Sequence, residues 1–451
     1  MRSPPAPATP GAASDLSRAS FVLQLVVAFV SVTAIQAARP MVTYRALGLG
    51  ADVFEIGLVQ SSFSIVPVFT AVWIGRFVDR VGEVGVLAAG TLLIGIGAAI
   101  TALSTSLPYL AVGQLVMGFG QITNLVSSQA LMANRGRRER RDERFGWYAT
   151  IVSLGQLAGP AVAAALVGTT VGAAFTDPSG SGVPGGPGVG GPEQPVFIFS
   201  AVAGAVGAGL TLLLADRRTA PARAATPGEL PINLARAAAR VIRRSGMPQA
   251  MLVGITVIST IDILVAYLPA YGHDRGLSVE TVGALLSIRA GASLVSRVFM
   301  ARLIVALGRE RLLAASMLMA GLGLGLLPLT SSTVALFGLM TVMGLGLGFG
   351  QPMTVAWVAS RSPRRERGLA LGVRLTGMRI SLLVVPTAMG ALAGASGISA
   401  IWVFLAVFLA IGGIVAWGAP FDETIADAGG SSPGHLPDQS VPAKPMPRDQ
   451  A

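Results

Sequence analysis

Twelve apolar stretches, each long enough to cross the hydrocarbon core of a bilayer, follow one another along the chain. About 20 helical residues at 1.5 Å each span the ~30 Å core, and the runs fall near residues 20–45, 54–74, 84–104, 108–132, 147–172, 195–215, 247–271, 280–301, 311–330, 333–358, 369–394 and 397–419. Lipid offers no partner to a backbone N–H or C=O, so runs of this length satisfy their polar groups as helices. The expected fold is an all-α membrane protein with twelve transmembrane helices in two six-helix bundles. Composition agrees: 12% of residues are charged and mean hydropathy is +0.68, where ordinary soluble domains carry roughly 25% charged residues.

The same composition narrows the chemistry. With no cysteine, disulfides and thiolate metal sites are excluded, and two histidines, His273 and His435, argue against a histidine metal cluster. No metal and no cofactor is expected. Lys444 is the single lysine, so no phosphate-binding loop of the kind that ends in Gly-Lys is present. A net charge of +11 need not mean nucleic acid, because the arginines sit in short clusters between apolar runs.

Those clusters set an orientation. Arg76 and Arg80, "RGRRERRDER", "DRRTAPAR" with "RAAARVIRR", Arg302, Arg309 and Arg311, and "RSPRRER" all fall on one side, while the other side keeps only Arg45 and Arg275. By the positive-inside rule both termini are cytoplasmic in a multi-pass cell-membrane protein.

An offset of 226 residues aligns Gly50, Gly57, Gly82, Gly95, Gly97, Gly118 and Gly120 with Gly276, Gly283, Gly308, Gly321, Gly323, Gly344 and Gly346. Chance predicts about 1.4 such matches for windows of this glycine content, so the chain is read as an internal repeat. The expected organisation is a disordered N-tail (1–19), a first six-helix bundle (20–215), a linker with an amphipathic stretch "INLARAAARVIRR" (216–246), a second bundle (247–420) and a disordered C-tail (421–451). Two such halves suit a machine that rocks about a site between them.

"GRFVDRVGEVGVL" resembles the loop signature of the major facilitator superfamily between its second and third helices, with Gly75, Asp79, Arg80 and Gly82 in place and Glu83 where a basic residue is usual. The resemblance extends over all twelve spans and implies a transporter, not an enzyme. It makes Asp79 a latch of the inner gate, against the alternative of a solvated turn residue beside a packing glycine. "GQLAGPAVAA" is similar to the fifth-helix pattern of antiporters in that superfamily through Gly155, Gly159 and Pro160, with Ala163 and Ala164 replacing paired glycines. This tilts the expectation toward efflux, although small residues and a proline serve helix packing equally. In the fourth helix, Gln114 stands where many proton-coupled members carry arginine.

Charges inside the spans carry the rest. Arg374 and Arg379 lie roughly 10 and 18 Å along the eleventh span, about 140° apart around it. Arg374 can snorkel, so Arg379 is the better cavity candidate. Asp262 and Arg289 lie at similar depth on consecutive spans and are expected partners, leaving a positive centre over. A guanidinium recognises carboxylate or phosphate with paired hydrogen bonds, so an anionic or carboxylate-bearing substrate is expected. Gln36, Asn124, Gln121, Gln156 and Gln351 are candidate polar contacts, or interhelical glue. Arg39 either lines the outer vestibule or snorkels. Asp262, the single carboxylate placed deep in a span, is the candidate proton carrier.

The expected function is secondary transport of a small organic anion by alternating access, linked to the proton gradient and directed outward. An importer or facilitator of an organic acid or sugar, and a non-transporting membrane receptor, are the alternatives. The expected partners are the small-molecule substrate and the lipid bilayer, with the chain a monomer that binds no nucleic acid.

Overall fold

The computed structural model describes residues 18–134, 141–175, 191–214, 234–362 and 366–418. Nearly all of both expected tails, the glycine-rich connection and most of the linker lie outside that set, as does the side chain of Asp79. The described chain is helical: α1 Arg18–Gly48, α2 Val53–Val81, α3 Glu83–Ala102, α4 Leu107–Asn134, α5 Arg141–Phe175, α6 Gln194–Leu212, α7 Leu234–Ile242, α8 Met247–Asp274, α9 Val279–Leu307, α10 Arg309–Leu326, α11 Thr333–Ser360, α12 Arg367–Ser396 and α13 Ser399–Trp417. Twelve of these are long and apolar enough to cross a membrane; α7 is the short amphipathic piece of the linker.

Local chemistry fixes several helix starts. Asp52 and Glu55 form a reciprocal capping box at α2, and Ser278 and Ser332 cap α9 and α11, satisfying backbone donors that a helix start leaves open. Gly82 and Gly308 join α2 to α3 and α9 to α10 at φ +100° and +81°, a conformation that residues with a Cβ rarely adopt.

The repeat is physical. A Cβ on Gly118 would collide with the carbonyl of Phe63, and one on Gly344 with the carbonyl of Arg289, which is Phe63 advanced by 226 residues. Gly97 lies against Met117 as Gly323 lies against Met343. Of the aligned glycines, Gly95, Gly97, Gly118 and Gly120, with Gly321, Gly323, Gly344 and Gly346, are thus points where helices within each half touch closely, as in other bundles that pack through small residues.

The halves, α1–α6 and α8–α13, meet along α2 with α12, α5 with α9, and α1 with α8. This seam obeys the same offset. A Cβ on Gly57 would stand 2.7 Å from the carbonyl oxygen of Pro386, and one on Gly283 would stand 3.0 Å from that of Pro160. With twelve spans, both ends of the described chain reach the same side, called here the terminal face; Gly57, Gly283, Pro160 and Pro386 all lie toward the far face.

The two basic residues of the far face are both engaged. Arg45, 2% exposed, pairs with Glu193 at 3.0 Å and donates to Gln194 and the carbonyl of Ala102. Arg275 donates to the carbonyls of Pro328 and Thr330 and stacks on Tyr271.

Candidate functional site

A cavity of about 290 Å³ lies between the halves. Gln36 and Arg39 reach it from α1, Phe63 from α2, Gln121 and Asn124 from α4, Tyr148 and Gln156 from α5, Asp262 from α8 and Arg379 from α12. Most of the remaining wall is aliphatic, including Val32, Ile35, Ile258, Ile261, Leu375 and Leu382.

On its far side the cavity is closed by bonds between the halves. Arg39 Nη1 donates to Asp262 Oδ1, joining α1 to α8, and the Arg39 guanidinium also lies 4.9 Å over the Phe63 ring. Thr43 Oγ1 donates across the seam to the carbonyl of Ala266 at 2.6 Å, and within the first half Gln60 donates to Thr43 at 3.0 Å. The hydroxyls of Ser61 and Thr387 are 2.8 Å apart across the seam, and within the second half Tyr267 donates to the carbonyl of Pro386 at 2.7 Å. A further polar bridge between the halves, Arg297 Nη1 to Ser153 Oγ at 2.5 Å, ties α9 to α5.

The expected partnership of Asp262 with Arg289 is replaced. Asp262 bonds Arg39 from the other half. Arg289 is 4% exposed, lies outside the cavity lining, and its Nε has no hydrogen-bond partner. Matched depth on consecutive helices placed the two groups at one level, but α8 turns Asp262 toward α1 and the seam. Arg39 neither snorkels nor stands in an outer vestibule, because the carboxylate and the Phe63 ring hold it at the cavity roof.

The two arginines of α12 separate. Arg374 Nη2 donates to Gln351 Oε1 and Thr354 Oγ1, each at 2.9 Å, within the second half and away from the cavity. Gln351 is therefore a partner of Arg374 and not a lining residue. Arg379 lines the cavity with one long hydrogen bond, Nη1 to Gln121 Oε1 at 3.3 Å, which also crosses the halves. The Arg39–Asp262 pair is internally neutral, so the guanidinium of Arg379 is left as the uncompensated charge among the described lining residues.

Of the neutral candidates, Gln36 and Gln156 face the cavity with no side-chain hydrogen bond to another described residue. Asn124 donates to Thr91 at 2.7 Å and to Ser31 at 3.3 Å while still lining it. Gln114 is fully buried, away from the cavity, with neither end of its amide paired. Gly155 and Gly159 bring α5 against Val32 and Gln36 of α1, and Pro160 meets Gly283. At the second-helix signature, Gly75 has open space where a Cβ would stand and Arg80 is exposed.

Sequence reasoning did not single out Arg297. Its signal was an arginine within the apolar run "SLVSRVFMA", which depth alone does not distinguish from a snorkelling residue.

Comparison with known proteins places this geometry. The family model of the Major Facilitator Superfamily matches residues 25–304 and 250–437. No curated protein matches the sequence. Among solved structures, the chain is similar to the nucleoside transporter NupG (15% identity, 89% of this chain and 100% of that one, TM-score 0.69). It is also similar to a POT family transporter in complex with 5-aminolevulinic acid (14%, 89% and 97%, 0.69). A bacterial homologue of the human lysosomal transporter Spinster, inward-facing and occupied, matches at 14% identity over 88% of this chain and 95% of that one, with TM-score 0.67. At these identities the likeness is one of fold.

Proposed function

Because the chain belongs to the Major Facilitator Superfamily and is a membrane transporter, not an enzyme, we propose that its cargo is a small organic anion with an apolar body, moved by alternating access. One observation carries the reading: Arg379 is a buried guanidinium in the cavity between the halves, without a carboxylate partner among the described residues. A charge held out of water is costly unless matched, and a guanidinium is matched best by a carboxylate taking two parallel hydrogen bonds. Gln36, Gln121, Gln156 and Asn124 add polar contacts from the first half, and the aliphatic wall accommodates the rest of the solute.

Asp262 is the proton-carrying group of this reading, since it is the carboxylate lining the cavity and already bonded across the seam. The basic residues at the terminal face, among them Arg76, Arg80, Arg240, Arg309 and Arg311, support a cytoplasmic assignment for that face in a cell membrane. Closure on the opposite side then corresponds to an inward-facing state. Export is supported by the resemblance of the α5 pattern alone, and in this fold Gly155 and Gly159 are occupied by packing on α1.

The test is transport. In proteoliposomes screened with labelled organic anions, the wild type carries at least one of them, and Arg379→Gln reconstitutes equally well but loses that flux. Full flux in Arg379→Gln would refute the reading.

A further inference from the structure

The anion reading fixes which way the proton must travel. Resting on that reading, we infer that proton and anion bind this cavity cooperatively and cross together, so that the carrier works as a proton–anion symporter and not as an antiporter.

The groups that set the sign can be named. The helices packed on α8 are α1, α2, α7, α9, α11, α12 and α13. From α1, Arg39 bonds Asp262; from α12, Arg379 shares the cavity with both, while Arg374 approaches α8 at Gly254, eight residues before Asp262, and is held by Gln351 and Thr354. From α9 the charged side chain at this depth is Arg289, and it is again positive. The described parts of α11 and α13 contain no charged residue, and those of α2 and α7 lie near the helix ends. His273 and Asp274 of α8 itself are eleven and twelve residues farther along, at the far face. Asp262 is therefore the negative charge that a bound anion meets in the cavity.

With Asp262 ionised, Arg39 is engaged and an anion finds one free guanidinium while being repelled by the carboxylate. A proton on Asp262 removes that repulsion and releases Arg39. The anion then finds two guanidiniums from opposite halves. Coupling between two ligands is reciprocal, so the anion favours the protonated carboxyl as much as the proton favours the anion. A coupling of about tenfold or more lies within the usual range. The bond broken is itself one of the closures on the far side, so loading with both partners also loosens the roof. Competition between cargo and proton, which antiport requires, would need a cationic solute.

The experiment measures binding of benzoate and octanoate to the purified full chain, over a pH range in which both probes stay ionised. Affinity should rise about tenfold from the alkaline to the acid end, with proton uptake recorded by an indicator dye in weak buffer. Asp262→Asn should bind at the acid-end affinity at every pH and take up no proton. Because that variant can fail to fold, the proton uptake of the wild type decides alone. Proton release on binding, or affinity independent of pH, overturns the symport inference while leaving the anion reading intact. Failure of every anion to bind, with cations binding instead, overturns both.

Discussion

Arg39 of α1 and Asp262 of α8, 223 residues apart in sequence, are hydrogen-bonded across the seam at the roof of the cavity. Neither has its counterpart in the repeat: the offset carries Arg39 to Val265 and takes Asp262 back to Gln36. All four positions line the cavity, so the pair is an asymmetry set into a symmetric frame, at a place where the halves must part for the far side to open.

Arg374 and Arg379 should respond differently to removal. Arg374→Met leaves Gln351 and Thr354 without their donor and should lower the melting temperature by several degrees, with anion affinity within about twofold of wild type. Arg379→Gln should leave the melting temperature nearly unchanged and lose anion binding. Thermal unfolding and ligand titration on both variants separate the roles, since a guanidinium held by the protein's own acceptors contributes to folding, and an uncompensated one to recognition.

The buried pair of Arg45 and Glu193 should be structural. Arg45→Met alone strands a buried carboxylate and should cost about 3–5 kcal/mol. Adding Glu193→Gln should recover part of that loss. Denaturation of the single and double variants in detergent checks this, and equal stability in both would contradict it.

The repeat makes a packing prediction. Gly118→Ala drives a methyl into the carbonyl of Phe63 and should destabilise by about 1–3 kcal/mol. Gly394→Ala, where nothing lies within 4 Å of the added methyl, should be neutral or gain up to about 1 kcal/mol from the lower helix cost of alanine. The melting temperature should therefore fall in Gly118→Ala and stay level or rise in Gly394→Ala.

Conformational bias is testable because the chain has no cysteine. Val152→Cys places one thiol in the cavity. Gly57→Leu, which cannot keep the approach of α2 to Tyr267 and Pro386, should shift labelling by an impermeant maleimide from the terminal face to the far face. Unchanged labelling would remove Gly57 from the far closure.

How legible the site was in the sequence follows from these residues. Span length and the glycine offset carried the fold, because both are one-dimensional quantities: rise per residue and spacing along the chain. Arg374 and Arg379 were separable for the same reason, since five residues is a fixed rotation about a helix. The partner of Asp262 was not. Depth follows from counting along one helix, whereas the choice between Arg39 and Arg289 depends on how α8 is rotated against α1 in the other half. That rotation is set by packing around Gly350, Tyr267 and the seam glycines, which no local pattern encodes. Arg297 escaped for a related reason: its acceptors, Gly348 and Ser153, belong to two other helices.

The charge preference of the cavity is the most direct test. Benzoate, benzamide and benzylamine share a ring and differ in the charge of one substituent, and their affinities for wild type and Arg379→Gln can be measured by calorimetry on purified protein. Benzoate should bind wild type at least about tenfold more tightly than either analogue, and Arg379→Gln should erase that preference. Tighter binding of benzylamine, or equal binding of benzoate by Arg379→Gln, would contradict an anion held by Arg379.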